Sequence, residues 1–258
     1  MKVFSTSYHH NLTSDQERLA GFCEAIQDIK GIVFDIGAGS GILTTCAGPY
    51  ADFIYSVEKD SRVASKTALF LENFNNVSFI EGDVFEVDFP ERADYILCEM
   101  LDTALVDEEQ VPVTNYLLKY LKEEGKMIPH GVINGAEPVS TKSEHISYHE
   151  NGSPQHQVLG PLTIYSRYQF GEYIHPQGDF NLKLKIEEDG LFTGIKITTF
   201  TLITPEIVCG PTPMMNPPLI IPTEEKLKVK KGDTVEIHLS YQMGGGLNTI
   251  KTRIRGVS

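Results

Sequence analysis

The chain has 258 residues, 41% of them hydrophobic, and a formal net charge of −13, so it can form one large domain or two moderate ones around a buried core. No apolar run approaches the roughly 18 residues that a membrane-spanning helix needs, and the start lacks the apolar core of a secretion signal, which predicts a cytoplasmic protein without a membrane partner. The negative charge argues against non-specific nucleic-acid binding and suits a cationic substrate.

The first predicted element is an amphipathic helix over residues 13–29. Ser14 stands three residues before Glu17, the spacing of a capping box, and is predicted to cap this helix. The segment "GIVFDIGAG" follows, an apolar run rich in β-branched residues that ends in glycines, which predicts a buried parallel strand and its turn. The segment "ILTTCAGPYA" then predicts a helix that ends near Gly48 and Pro49.

Strand and helix patterns continue to alternate in the next segments: "FIYSVEKD", "SRVASKTALFLENF", "VSFIEGDV", "ADYILCEM" and "VPVTNYLLKYL". This alternation predicts an open, mostly parallel α/β sheet with its ligand crevice at the carboxyl ends of the strands. After about Pro138 the sequence alternates apolar and polar residues between Gly, Pro and Asp turns, which predicts an antiparallel β-barrel or sandwich. We therefore predict an α/β domain over 1–137 and a β domain over 138–258.

The scattered cysteines and histidines give no metal motif. The cysteines include no CxxC pair, which favours a reducing compartment and four unpaired thiols. The histidines lack the spacing of a zinc-binding helix, so we expect exposed loop residues and no metal site. These residues are Cys23, Cys46, Cys98 and Cys209, and His145, His149 and His156.

The glycine turn after the first strand selects among nucleotide ligands. Gly37, Gly39 and Gly41 form GxGxG, with Ile42 where a dinucleotide-binding motif has its last glycine, and no P-loop motif is present. Asp35 precedes the turn and would place a carboxylate beside the ligand, which disfavours a pyrophosphate and favours a cation.

Two further carboxylates complete the predicted ligand site. Glu58 closes the second strand about 20 residues after the glycines, the usual position for a carboxylate that binds ribose hydroxyls. Asp83 lies at the end of the third strand, where it could accept a hydrogen bond from the adenine amine. The predicted ligand is an adenosine with a positive centre and no phosphates, which fits S-adenosylmethionine.

The three segments "DIGAGSG", "VEKD" and "EGDV", in this order and at these spacings, resemble those of class I S-adenosylmethionine-dependent methyltransferases. The resemblance covers about residues 30–135. It implies a Rossmann-like sheet and S-adenosylmethionine as the cofactor. A Rossmann domain with another cofactor is the alternative.

The segment "CEMLDTALVDEE" follows the fourth strand and is the candidate acceptor site. It lacks the [ND]-P-P-[YFW] tetrapeptide of many nucleic-acid amino methyltransferases and instead has Glu99 and Glu108, nine residues apart. Two carboxylates suit a guanidinium, since paired hydrogen bonds fix its plane and orient the remaining nitrogen. The segment resembles the double-E loop of protein arginine methyltransferases, with Asp102, Asp107 and Glu109 as additional acids. A solvated acidic turn is the alternative for Glu108.

Other segments are similar to the same family. "SDQER" resembles its first-helix D-x-x-R, which implies that Arg18 pairs with the carboxylate of the cofactor. "EEGKMIPHG" resembles the passage from the sheet into the family's β-barrel, with Pro129 at the crossing, and "EEKLKVKKGDTVE" resembles a barrel strand pair.

The sequence also departs from this family. Where the family has a Thr-His-Trp loop, this sequence reads "PTPMMNPP". Phe4 and Tyr8 are the candidates for its N-terminal aromatic pair, and no dimerisation arm is identifiable.

The sequence thus predicts an S-adenosylmethionine-dependent methyltransferase that acts on a protein or peptide, with a homodimer left open. Two other functions stay open: an RNA methyltransferase and a catalytically inactive cofactor-binding protein. The basic segments at 226–231 and 251–255 bear on the RNA alternative, and their alternation with apolar residues predicts the outer faces of strands.

Overall fold

A computed structural model describes residues 15–149, 155–212 and 214–258. These residues form a helix-flanked parallel sheet followed by two antiparallel sheets. The helices are α1 (Gln16–Ile26), α2 (Ile42–Ala47), α3 (Ser61–Leu71) and α4 (Gln110–Leu117). The strands are β1 (Ile32–Ile36), β2 (Phe53–Glu58), β3 (Val77–Glu81), β4 (Ala93–Cys98), β5 (Leu121–Ile128), β6 (Gly131–Thr141), β7 (Ser147–Tyr148), β8 (His156–Val158), β9 (Thr163–Gln169), β10 (Gln177–Lys185), β11 (Gly190–Leu202), β12 (Val208–Cys209), β13 (Leu219–Val229), β14 (Thr234–Gln242) and β15 (Lys251–Val257).

The first five strands form one parallel sheet in the order β3-β2-β1-β4-β5. Strand β1 lies at its centre and is buried almost throughout because Val33, Phe34 and Ile36 face apolar neighbours. The chain reverses its direction of travel across the sheet between β1 and β4, and in such folds ligands bind outside the carboxyl ends of the strands at this point. The predicted α/β fold is confirmed.

Strand β5 leads directly into the antiparallel part through a cis peptide bond between Ile128 and Pro129. A sheet in the order β7-β13-β11-β6-β8, with β9 and β12 added at its sides, packs with a second sheet in the order β10-β14-β15. The predicted β-barrel part is confirmed, and the outward positions of β15 carry the basic side chains of 251–255. Strands β13 and β14, predicted as a pair, belong to different sheets.

The change of sheet falls at residues 129–130, before the predicted boundary at 138. Strand β6 begins at Gly131 and pairs with β11 over residues 131–139 and with β9 over residues 131–136. Most of its first nine residues are buried, so this segment does not show the alternation of a half-solvated strand. The sequence signal that marks the β domain therefore starts later than its first strand.

The N-terminal helix α1 differs from the prediction at its start. It begins at Gln16, and its cap is Asp15, whose side chain accepts a hydrogen bond from the backbone N–H of Arg18. Ser14, the predicted cap, lies outside the described residues, as do Phe4 and Tyr8. The buried face of α1 contains Arg18 beside Phe22 and Ile26, so a charged residue occupies the face that the sequence predicts to be apolar.

The predictions for the cysteines and histidines need correction. Cys23 on α1 and Cys46 on α2 form a disulfide, while Cys98 and Cys209 are free and buried. The pairing follows from the packing of α1 on α2, which the spacing in sequence does not indicate.

His149, which follows β7, and His156, the first residue of β8, are half-buried, with ring centroids 4.7 Å apart. Within the described ranges no three His, Cys, Asp or Glu side chains are placed to hold a metal ion. In the same part of the chain no helix has the length and apolar character to cross a membrane.

One apolar core joins the two parts of the molecule. It contains Phe34 and Ile96 from the parallel sheet, Leu105 from the loop after β4, and Ile195 and Ile237 from the barrel. The loop that carries the predicted acceptor site is thus packed between the sheet and the barrel.

Candidate active site

A cavity of about 270 Å³ opens at the carboxyl ends of β1, β2, β3 and β4. Its lining includes the turn after β1, the ends of β2 and β3, the loop after β4 and one residue of the barrel. A cavity of this size is near the lower end for small-molecule sites. The cavity lies where the sheet order predicts a ligand.

The glycine turn forms one wall of the cavity. Gly37, Gly39 and Gly41 have φ angles of 73°, 55° and 76°, a left-handed conformation that residues with a side chain rarely adopt. Gly37 and Gly39 line the cavity, whereas Gly41 precedes α2 and does not. A Cβ atom on Gly37 would lie 3.2 Å from the side chain of Met100, so the turn also needs glycine for close packing against the loop after β4.

Glu58 lies on the opposite side of the turn, with its orientation fixed by the backbone. Its Oε2 accepts a hydrogen bond from Gly39 N at 2.9 Å, and its Oε1 accepts one from Asp60 N at 2.8 Å. The side chain is half-buried and lines the cavity. Each carboxylate oxygen has further lone pairs, so Glu58 can still accept hydrogen bonds from a ligand.

Asp83 follows β3 and also lines the cavity. Its Oδ1 accepts a hydrogen bond from Phe85 N at 3.0 Å and caps a short 3₁₀ helix, while its Oδ2 lies 4.0 Å from the ammonium of Lys59. One oxygen is therefore structural, and the other faces a cation at the edge of the cavity.

Asp35 does not line the cavity. Its side chain is 2% exposed and accepts a hydrogen bond from the hydroxyl of Thr44 on α2. Burial raises the pKa of Asp35 to about 6. The residue supports the turn from beneath, because a carboxylate on a central buried strand points into the sheet–helix interface and not along the strand.

Glu99 lies immediately after β4 and lines the cavity. Arg18 reaches it from α1: Arg18 Nε donates to Glu99 Oε1 at 2.9 Å, and Nη2 contacts Oε2. Both side chains are nearly buried, at 4% and 10% exposure. A planar guanidinium thus lies against the first glutamate of the acidic pair in a two-pronged contact, and Arg18 itself is not part of the cavity surface.

Glu108 lines the same cavity as Glu99. Desolvation, followed by the nearby charges of Asp107, Glu99 and Glu109, raises its pKa above the ordinary value. The nine-residue loop folds back on itself so that both glutamates open into one space. The structure therefore brings the predicted acceptor pair together.

The segment that replaces the Thr-His-Trp loop reaches the cavity through Met214. Its position is fixed by Asp15, because Asp15 Oδ2 accepts hydrogen bonds from the hydroxyl of Thr212 and, at 3.2 Å, from Met214 N. The same aspartate caps α1 through its other oxygen. A thioether thus contributes to a wall that also contains Met100 and Leu101.

Several of these residues could not be recognised from sequence. Lys59 lines the cavity and forms an ion pair with Glu109 at 2.8 Å, and its position after Glu58 at a strand end is a weak signal. Met214 reaches the site from the barrel, more than 100 residues away in sequence, and the one sequence signal for it is the position of its segment where the family has the Thr-His-Trp loop.

The charge of the cavity is strongly negative. Its lining carries five carboxylates, and within the described part of the chain Lys59 is the one Lys or Arg that lines it. The excess of acidic residues extends beyond the cavity. Residues 1–129 contain 10 Lys or Arg and 22 Asp or Glu, whereas residues 130–258 contain 12 Lys or Arg and 13 Asp or Glu. The acidity of the protein is therefore concentrated in the half that contains the site, which favours cationic ligands and disfavours phosphates.

The arrangement of the parallel sheet and the barrel is shared with solved protein arginine methyltransferases. The fold is similar to that of PRMT1 from Trypanosoma brucei, solved as an enzyme–prozyme heterotetrameric complex with AdoHcy, with a TM-score of 0.75, 18% identity, and coverage of 89% of this chain and 86% of that one. It is also similar to protein arginine methyltransferase 10 from Arabidopsis thaliana, with a TM-score of 0.77, 17% identity, and coverage of 91% and 88%. The resemblance inferred from the motifs is confirmed at the level of the fold.

Sequence comparison defines the nearer relatives. The chain is 47% identical over 255 residues to an uncharacterized protein of Methanothermobacter thermautotrophicus, covering 98% of this chain and 100% of that protein. It is 38% identical over 254 residues to an uncharacterized protein of Methanocaldococcus jannaschii, covering 96% of each. The chain belongs to the same family as these two archaeal proteins.

A third relative is the histone-arginine methyltransferase CARMER of Drosophila ananassae, 34% identical over 147 residues, or 53% of this chain and 27% of that protein. No family model matches the chain.

Proposed function

We propose that this protein is an S-adenosylmethionine-dependent methyltransferase whose acceptor is an arginine side chain of a protein. The observation that carries the proposal is that Glu99 and Glu108 open into the same cavity as Gly37, Gly39 and Glu58. Groups suited to a cationic acceptor and groups suited to an adenosine ligand therefore share one space.

The residues of the turn fit the cofactor. When bound, S-adenosylmethionine supplies a methyl group on a positively charged sulfur. Glu58 is held by two backbone N–H groups and would bind the ribose hydroxyls, and Asp83 would accept from the adenine amine. Arg18 contacts Glu99 and does not line the cavity, so it would bind the amino-acid carboxylate of the cofactor only if its guanidinium moved towards the cavity beside Glu99. The predominance of carboxylates and the absence of a phosphate-binding motif support a ligand that is cationic and lacks phosphates.

The acceptor assignment rests on the chemistry of the glutamate pair. Glu99 already holds one guanidinium, that of Arg18, through two contacts, so its carboxylate is oriented for planar, two-pronged recognition. Glu108 would hold the acceptor guanidinium and concentrate its positive charge away from the attacking nitrogen. The pair would thereby direct that nitrogen towards the methyl group that the cofactor would supply, and a carboxylate of the loop or water would take the proton that the nitrogen loses.

The wall beside the glutamate pair differs from that of the family. Met214, from the segment at the position of the Thr-His-Trp loop, and Met100, from the loop after β4, both line the cavity. An apolar wall suits the methylene groups of an arginine side chain. The proposal therefore places the charge recognition on the two glutamates and the packing on the methionines.

The test is transfer of radiolabelled methyl from S-adenosylmethionine into an extract of the source organism, treated afterwards with protease or with nuclease. Label that protease releases, and that hydrolysis assigns to methylarginine, is the expected result. Label that nuclease releases would place the acceptor in RNA and overturn the proposal. Cofactor binding without any label would indicate a binding protein without activity, and the Glu99→Gln variant serves as the background control.

A further inference from the structure

The loop between Glu99 and Glu108 contains a buried carboxylate that neither cofactor nor acceptor recognition uses. Asp102 is 6% exposed. Its Oδ2 accepts hydrogen bonds from Val106 N at 3.1 Å and Asp107 N at 3.0 Å, and its Oδ1 accepts one from Glu108 N at 3.3 Å. One side chain thus binds three successive amides, the last of which belongs to the second glutamate.

The barrel holds Asp102 in this orientation. Tyr148 on β7 donates its hydroxyl to Asp102 Oδ2 at 3.0 Å. Because the ring of Tyr148 is partly buried on a strand paired with β13, this contact ties the carboxylate to a fixed element outside the loop.

The backbone between Asp102 and Glu108 would not adopt this path unaided. Ala104 and Leu105 have φ angles of 65° and 59°, and the left-handed conformation is unfavourable for both residue types. Ala104 N donates to the hydroxyl of Thr199 on β11 at 2.8 Å. External contacts and the Asp102 carboxylate together compensate for the unfavourable backbone.

The other end of the loop has its own constraint. Gln110, fully buried at the start of α4, accepts a hydrogen bond from Met100 N at 2.9 Å through its side-chain oxygen. This bond connects Met100, the residue after Glu99, to Gln110, the second residue after Glu108. Asp102 and Gln110 therefore fix the two glutamates from inside the loop.

We infer that Asp102 is a positioning residue for the methyl-transfer reaction, which sets the place of Glu108 relative to Glu99 through the amides of residues 106–108. The inference rests on the proposed function, since it assigns Asp102 a role in holding the acceptor. Asp102 does not touch the cavity, so its loss acts on the acceptor step and leaves the adenosine side of the site intact.

The test compares Asp102→Asn with Asp52→Asn, which removes the same charge from an exposed aspartate at the amino end of β2, away from the cavity. For Asp102→Asn we expect a cofactor Kd within twofold of that of the parent protein and a kcat at least tenfold lower. The reason is that the asparagine amide has one acceptor oxygen, and its NH2 group would face backbone N–H groups that also donate. Asp52→Asn should change neither Kd nor kcat. Tyr148→Phe keeps the carboxylate and removes one hydrogen bond, so it should give a smaller loss of kcat and serves if Asp102→Asn does not fold.

Amide hydrogen exchange at residues 106–108 separates this inference from the proposed function. Faster exchange in Asp102→Asn, together with the loss of kcat, supports the positioning role. A kcat within twofold of the parent, or unchanged exchange at these amides, overturns it. A parent protein that transfers no methyl to arginine overturns the proposed function, and the exchange measurement then still decides whether Asp102 orders the loop.

Discussion

Replacing Glu58 by Gln tests the assignment of the adenosine site. The substitution keeps the size of the side chain and removes its charge. Hydrogen bonds to a charged acceptor contribute about 1.5–3 kcal/mol each, and neutral ones about 0.5–1.5. Two ribose hydroxyls bound to Glu58 would therefore lose about 2–3 kcal/mol in total, which corresponds to a roughly 30- to 150-fold higher Kd for S-adenosylmethionine.

The same change also affects the free protein. Gln can accept from Gly39 N or from Asp60 N but not from both through its oxygen. An unmet N–H in a partly buried turn costs about 1–3 kcal/mol. The Kd must therefore be measured by titration calorimetry well below the unfolding temperature of the variant, so that the loss of affinity is not a loss of folded protein.

The control for Glu58→Gln is Glu81→Gln. Glu81 pairs in register with Glu58 on the neighbouring strand, is exposed, and does not line the cavity. The Glu81→Gln substitution removes the same charge from almost the same place and should leave the Kd for S-adenosylmethionine unchanged. A Glu58→Gln variant that is folded and binds the cofactor with a Kd within threefold of the parent would refute the ribose assignment.

Three other predictions follow from the buried charges. Glu99→Gln should leave the cofactor Kd within threefold and lower kcat at least 100-fold in the methyl-transfer assay, and normal turnover would contradict the double-E assignment. Arg18→Met should leave Glu99 buried without its guanidinium, lower the free energy of unfolding by about 3–5 kcal/mol and raise the cofactor Kd; unchanged urea denaturation would contradict it. Asp35 has a pKa raised from 3.8 to about 6, so the native state binds its proton more tightly and loses about 2 kcal/mol of stability as the pH rises from about 4.5 to about 7.5; Asp35→Asn should remove this loss, and denaturation curves at these two pH values measure it.

The parallel sheet was predictable because its signals are local. The motif around Gly37, Glu58 at the end of β2 and Asp83 after β3 each follow an apolar run of strand length, and parallel strands of this order must bring such ends to one edge. The roles of these residues stay predictions, but their convergence on one cavity follows from the pattern.

Other features depend on contacts between distant segments and leave no local pattern. Arg18 and Glu99 are 81 residues apart, and the sequence gives no indication that they pair with each other. Asp102 resembles one more acid in an acidic loop, and its burial results from Tyr148 on the barrel. Likewise, Cys23 and Cys46 meet because α1 packs on α2.

The attachment of the acidic loop to the barrel has a consequence for how the protein would lose its properties on mild denaturation. Leu105 and Val106 accept hydrogen bonds from Gly244 and Gly246 of the barrel at 2.9 and 2.8 Å, whereas the contacts of Glu58 lie within the parallel sheet and its turns. If the barrel loosens first, the protein would keep its affinity for an adenosine ligand after turnover has stopped. The order of the acceptor site would then depend on the barrel, and substitutions in the barrel could change the choice of acceptor without changing the affinity for the cofactor.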